Sequence, residues 1–369
     1  MGCDGHSLNA RLTLEPFMSP LPEHPALRID RLAGVFRSTT ATYKFYWLLA
    51  LLDLVAEGRT SIPLRSLYVR MIIHAWYPVN YFRLSFGAWD KLHEVVTLLA
   101  AQEKLDPQTK VADLEHALLF AEDPLSVKAI MGLGRWVRFR FLSPWLNSSN
   151  LNETQVMQRS QDPSYGAPYV LFGDRIEVPL EWAAYFTQHR VLLRDFCLWN
   201  LAQFIQSRNP NVPQVVNKLL RPPSRNALTA QRELWNAVMD HTGDLPCIYT
   251  GGQLAGADYH MEHLIPYAFV AHDQLWNLVP AAPAYNLAKS DNLPNLVRHL
   301  GPFTDAHWQL ATVVREHDLR NKLIEDYLTI VPEPLHQVTD RYLFGDKLRD
   351  TIVPLHGIAV NSGFGEVRD

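Results

Sequence analysis

Cysteine is scarce in this chain: Cys3, Cys197 and Cys247 are the only three in 369 residues, too widely spaced to frame disulfides. That excludes a disulfide-stapled fold and fits a reducing compartment, so a cytoplasmic protein is expected. Long apolar runs are missing too. The strongest, Phe45 to Leu52, ends at Asp53 after eight residues, where a bilayer crossing needs about 20. No membrane span is therefore expected, and that run reads as a buried helix. Excess positive charge is also absent, with 34 Lys and Arg against 38 Asp and Glu. So balanced a chain does not coat nucleic acid by bulk electrostatics, and any such contact needs a local patch. An N-terminal targeting signal is not expected, and Gly2-Cys3-Asp4-Gly5-His6 lacks the Ser or Thr that myristoylation requires. Internal repeats and low-complexity tracts are not found.

What the chain does have is apolar content, 47% of residues, enough for a sizeable core. The pattern predicts a mainly α protein with a small α+β unit. Residues 1–38 are spotted with proline and read as an irregular arm. Helices are expected over 39–58, 62–76, 88–102, 109–120, 126–135 and 181–206, with a hairpin turning at Gly173-Asp174. The polar stretch 147–165 reads as a loop. Residues 209–225 hold four prolines and break the helical pattern, so the boundary of a helical accessory domain, 39–222, is placed there. The same stretch concentrates Lys218, Arg221 and Arg225, a candidate basic patch for nucleic acid, with a solvated linker as the plainer reading. Arg135, Arg138 and Arg140 alternate with Trp136, Val137 and Phe139; a half-buried strand fits this better than a base-stacking surface. A long helix over 305–328 and a shorter one beyond it complete a C-terminal segment, 301–369.

The densest chemistry lies in 261–294, MEHLIPYAFVAHDQLWNLVPAAPAYNLAKSDNLP. Glu262 and His263 are adjacent, Asn277 follows His263 by fourteen residues, and Asn286 follows by nine more. Residues 258–265 and 275–280 read as short strands, the second stopped by proline, and 283–289 as a helix opened by proline. Strand, loop, strand and helix folded together would bring Glu262, His263 and Asn286 to one cleft. Phosphodiester hydrolysis needs such a set. A histidine can take a proton from the attacking water. Oxygen donors such as Glu262 and the Asn286 amide suit a hard ion that neutralises charge in the transition state.

These residues resemble the HNH nucleases of the ββα-metal class. They look most like the HNH domain of RNA-guided CRISPR nucleases, which shares the Asn at the third position and the Lys-Ser-Asp-Asn ending. The resemblance implies an HNH domain over 223–300 and an endonuclease that hydrolyses DNA. His263 would be the general base, with Asn277 fixing its loop. Glu262 and Asn286 would hold one Mg²⁺ or Mn²⁺, and Lys289 would touch a phosphate. Double-stranded DNA is expected ahead of single-stranded, and RNA is a weaker third option. Three features depart from the family pattern. Glu262 stands where Asp is usual, reaching one methylene farther, which favours weak or Mn²⁺-supported activity. The paired Cys-x-x-Cys clip is missing, since only Cys247 stands at the first pair and 281–284 holds none; four ligands being needed, no structural zinc is expected. Only Lys289 and Arg298 are cationic in 241–300, against Asp244, Asp258, Glu262, Asp273 and Asp291.

Plainer readings stand beside these. His260, His272 and His299 are expected in loops or at the surface, and Trp276 and Tyr285 in the core. The alternative function is an HNH shell without catalysis, serving as a nucleic-acid-binding or assembly subunit. Arg194-Asp195-Phe196 and the run Arg208 to Pro213 give a weaker resemblance to the accessory region of bacterial HNH proteins. Many of those act against phage or mobile DNA, which implies regulatory protein partners.

Overall fold

A computed structural model describes residues 21–135, 137–147, 151–220, 227–254 and 258–367. The chain forms two compact units, one of residues 1–71 with 118–200 and the other of 72–117 with 201–369. The described part of the proline-rich stretch, 209–220, therefore lies inside the second unit. Most of the chain is helical, and the strands are short. No helix among the described residues is long and apolar enough to cross a membrane.

The first unit is built on the helix Tyr43–Ala56, in which every residue from Phe45 to Leu52 is buried. A helix apolar on all faces has to be surrounded, and Leu180–Gln188 packs along it. Trp47, fully buried, lies 5.6 Å from the Tyr169 ring and 6.3 Å from that of Tyr68. A three-stranded antiparallel sheet closes the unit, with β1 (Ser61–Pro63), β2 (Val170–Leu171) and β3 (Arg175–Glu177) in the order β1-β3-β2. The expected hairpin is present: Phe172 N donates to Arg175 O at 2.9 Å across Gly173-Asp174.

Two expectations for this unit need correcting. Within the stretch read as a loop, Glu153–Ser160 is a helix with a full capping box on Asn152 and Gln155. The Asn-x-x-Gln signal was local and sufficient, and overall polarity hid it. Arg135, Arg138 and Arg140 lie not on a strand but on a 3₁₀ turn, Leu133–Arg135, and a helical turn, Val137–Arg140. Val137 and Phe139 are buried, and the Arg138 guanidinium covers the Phe139 ring at 4.5 Å. Neither side chain is open to stack a base. Trp136 lies outside the described residues.

In the second unit, Thr229–Thr242 packs on Leu296–Glu316, which also packs on Arg341–Asn361. The helix expected over 305–328 is divided. Its true start is Leu296, where the Asn295 carboxamide caps Val297 N and Arg298 N, and it stops at His317. A separate 3₁₀ segment, Lys322–Thr329, begins with its own cap from Asn321. Pro302 lies inside the first helix, past its first turn, where it cannot donate to the Arg298 carbonyl four residues before. The last helix runs 21 residues, longer than expected. Two small sheets pair β4 (Leu245–Pro246) with β5 (Gln253–Leu254), and β6 (His260–His263) with β7 (Leu278–Ala281).

Candidate active site

The β6–β7 ribbon is antiparallel, with His260 opposite Ala281, Glu262 opposite Val279 and His263 opposite Leu278. Just past its end, Leu264 N donates to Asn277 O at 2.9 Å. Ladder bonds recur at every second pair, so Pro280, opposite Met261, occupies a non-bonded position where its missing N–H costs nothing. All four β7 residues are buried. The helix Pro283–Lys289 follows at once, with proline in its first turn. Residues 283–289 were expected to be helical, and the ββα order read from the sequence is the one observed.

Asn277 is fully buried. Its Oδ1 accepts from Ile265 N at 2.9 Å and its Nδ2 donates to Ile265 O at 2.8 Å. One carboxamide thereby satisfies both backbone groups of a residue two past His263, as an amide can and a carboxylate cannot. The segment leaving β6 is thus pinned to the segment entering β7.

His263 is buried, and its Nε2 lies 3.0 Å from Asp273 Oδ1. The carboxylate accepts the Nε2 proton, which leaves Nδ1 carrying the lone pair. Tyr267 meets the imidazole edge-on at 5.7 Å. The loop holding Asp273 is itself tied down. Gln231 Nε2 donates to Asp273 O at 3.2 Å, and Leu275 N donates to Asp326 Oδ2 at 2.8 Å. Asp273 was not singled out in the sequence, because a carboxylate ten residues from His263 forms no recognisable spacing; only closure of the loop brings it back. Beside it, burial lowers His272 to about 4. His272 lies in a loop, as expected, where it is half-buried and neutral.

Glu262 and His263 are consecutive on a strand, so their side chains leave on opposite faces. Lys289 joins the two residues. Its ammonium, fully buried, lies 2.5 Å from Glu262 Oε1 and 2.9 Å from the His263 carbonyl oxygen. A carboxylate and a carbonyl oxygen therefore converge on a positive charge, a cradle whose chemistry fits a hard cation. Asn286 lies one helical turn before Lys289, half-buried, on the same side of its helix. Among the described residues, no group of three or more His, Cys, Asp and Glu gathers as a metal cluster.

Where the family's clip would stand, the chain uses other contacts. Cys247 N donates to Gly252 O and Gly251 N to Cys247 O, each at 2.8 Å, closing the β4–β5 turn. Cys247 Sγ accepts from Ala282 N at 3.4 Å, at the start of the motif helix. Burial alone would raise this thiol, but hydrogen bonds from Thr250 and from the backbone N–H groups of Ala282 and Tyr249 bring it below the ordinary range. Tyr249 stacks on Tyr285 at 4.2 Å with planes 12° apart, and His299 meets Tyr249 edge-on at 5.1 Å. His299 is buried on the helix Leu296–Glu316, contrary to the loop or surface placement expected, and its Nδ1 lies 3.2 Å from Ile248 O. Trp276 is buried as expected, whereas Tyr285 is half-buried.

The candidate phosphate contacts fall differently from expectation. Lys218 is fully buried, donates to Phe269 O and lies 5.2 Å from the Phe269 ring. Burial lowers its ammonium to about 7. It anchors the short helix Tyr267–Val270 after β6 and offers no charge at the surface. Lys289 likewise points into the protein. Arg221 and Arg225 lie outside the described residues.

Residues 247–295 match the family model described as HNH endonuclease, which makes this segment an HNH module within a 369-residue chain. The match starts just after β4 and spans β5 through β7 and the motif helix. No curated protein and no solved structure matches the chain.

Proposed function

We propose that this HNH module makes the chain a metal-dependent endonuclease that hydrolyses phosphodiester bonds in DNA, double-stranded DNA before single-stranded. The observation that carries the reading is the pairing of buried His263 with Asp273, His263 lying on the strand whose oxygens cradle a cation. Asp273 fixes the imidazole tautomer, and Nδ1 accepts the proton of a water attacking phosphorus. Asn277 keeps the backbone beyond His263 from shifting. Held by Glu262 with Asn286, one Mg²⁺ or Mn²⁺ would neutralise charge gained at the phosphate. The extra reach of Glu262 over an aspartate favours the less strict Mn²⁺. Phosphate contacts would come from Arg221, Arg225 and the exposed Arg298. A role against foreign DNA in the cytoplasm, under a partner's control, has the likeness of 194–196 and 208–213 as its support.

A second reading has its own observation. Lys289 neutralises the Glu262 carboxylate, which fits an HNH shell kept for binding or assembly. Supercoiled plasmid with Mg²⁺ or Mn²⁺ separates the two. Nicking by the full chain that falls at least about 100-fold in His263→Ala is expected of the enzyme. No nicking with either ion leaves the binding subunit standing.

A further inference from the structure

The chemistry proposed above places an ion on Glu262, yet Lys289 already occupies that carboxylate. Its geometry is that of a bound cation. Lys289 Nζ lies 2.5 Å from Glu262 Oε1 and 2.9 Å from His263 O, and no part of the side chain reaches solvent. Lysine is almost never buried so completely unless paired. Charge sharpens the point. With the ammonium in place, Glu262 and Lys289 sum to zero, and a dication approaching the carboxylate meets no net attraction. Both cations cannot share the same oxygens at hydrogen-bonding and coordination distances.

The backbone next to Lys289 is consistent with a side chain held in place. Lys289 is the last residue of its helix, and Ser290 follows with φ 49° and ψ −130°. Positive φ is costly for a residue with a Cβ and persists where surrounding contacts enforce it. Asn292 Nδ2 donates to Lys289 O at 3.0 Å on the far side of that turn. The side chain therefore sits at a helix end, where rotation about its own torsions moves the ammonium without unwinding the helix.

We infer that Lys289 is the resident countercation of the ion site, and that a divalent ion enters by displacing its ammonium from Glu262 and the His263 carbonyl. The inference rests on the metal-dependent reading of the same site. It gives Lys289 two positions: inside, neutralising Glu262 in the ion-free protein, and outside, freed at the edge of the site where a phosphate diester lies. Ion binding and the supply of a phosphate-facing cation then become one event. A carboxylate this well protected also discriminates among cations, since a monovalent ion gains too little from one carboxylate to replace an ammonium already there.

Amine acetylation of the full-length wild-type chain, read residue by residue by mass spectrometry, tests this at fixed pH, with Mn²⁺ binding measured in parallel by calorimetry. Saturating Mn²⁺ is expected to raise Lys289 acetylation about tenfold or more, because the buried amine becomes reachable. Lys218, equally buried, is expected to stay protected, which separates displacement from general loosening. Mn²⁺ binding with Lys289 still protected overturns the displacement and leaves the metal-dependent reading intact. Absence of Mn²⁺ binding overturns both. Lys289→Met supplies an independent check. Without the competing ammonium, Mn²⁺ affinity is expected to rise about tenfold or more, and unchanged or weaker affinity counts against the proposal.

Discussion

Asn277 is the residue whose loss has the most predictable consequence. Its carboxamide is buried and matched to both backbone groups of Ile265. Replacing it with leucine of similar size leaves a buried N–H and a buried C=O without partners. Each such group costs about 1–3 kcal/mol, so Asn277→Leu is expected to lose roughly 2–6 kcal/mol of stability, measured by urea denaturation. His263→Ala behaves differently. It removes the proposed base while the fold keeps Asn277, so turnover is expected to fall far more than stability. The two substitutions separate a side chain that holds the loop from one that the loop holds.

At the level of elements, the module must tie the β4–β5 turn to the motif helix without the paired cysteines of a clip. The Tyr249–Tyr285 stack joins them, and His299, from the helix Leu296–Glu316, closes the group. An offset stack of this kind contributes about 0.5–1.5 kcal/mol beyond simple burial. A double-mutant cycle with Tyr249→Leu and Tyr285→Leu is expected to give a coupling energy in that range, about 0.5–1.5 kcal/mol. A value near zero would mean the turn and helix are held by other contacts. Burial, then the Glu262 charge, keep the Tyr249 phenol well above its ordinary range. Its hydroxyl makes no hydrogen bond among the described residues, so Tyr249→Phe is expected to leave the stack unweakened. Because Asn286 adjoins Tyr285, the stack also sets where the proposed ion ligand stands.

Across the whole molecule, buried histidines set the acid limit of the fold. His307 packs between Trp235, Phe303 and Tyr327, and burial lowers it to about 3. His272 lies at about 4. Both are lowered from an unfolded value of 6.5, so between their folded values and 6.5 the unfolded chain binds more protons than the native one. Stability therefore rises with pH across that window and is lost as pH falls below about 6.5. Between pH 7 and pH 5 the two together are expected to remove about 2–4 kcal/mol, read from urea midpoints. His307→Phe, which keeps the ring and removes the titration, is expected to flatten that dependence by about half.

Local signals carried a large part of this protein in its sequence. The order of Glu262, His263, Asn277 and Asn286, with prolines marking the second strand and the helix, gave the HNH module and its ββα elements. The run from Phe45 to Leu52 gave a buried helix. The capping box at Asn152 was equally local, and only the polarity around it concealed it. What the sequence could not carry were partners set by long-range closure. Asp273 reaches His263 because Gln231 and Asp326, from distant elements, fix its loop. Lys218 and Lys289 read as surface cations, yet each is buried, because an ammonium can be drawn inward wherever folding gathers oxygens around it. Neighbours along the chain act at fixed spacing and so leave a pattern in the residues, whereas the surroundings of a charge exist only once distant segments have packed together.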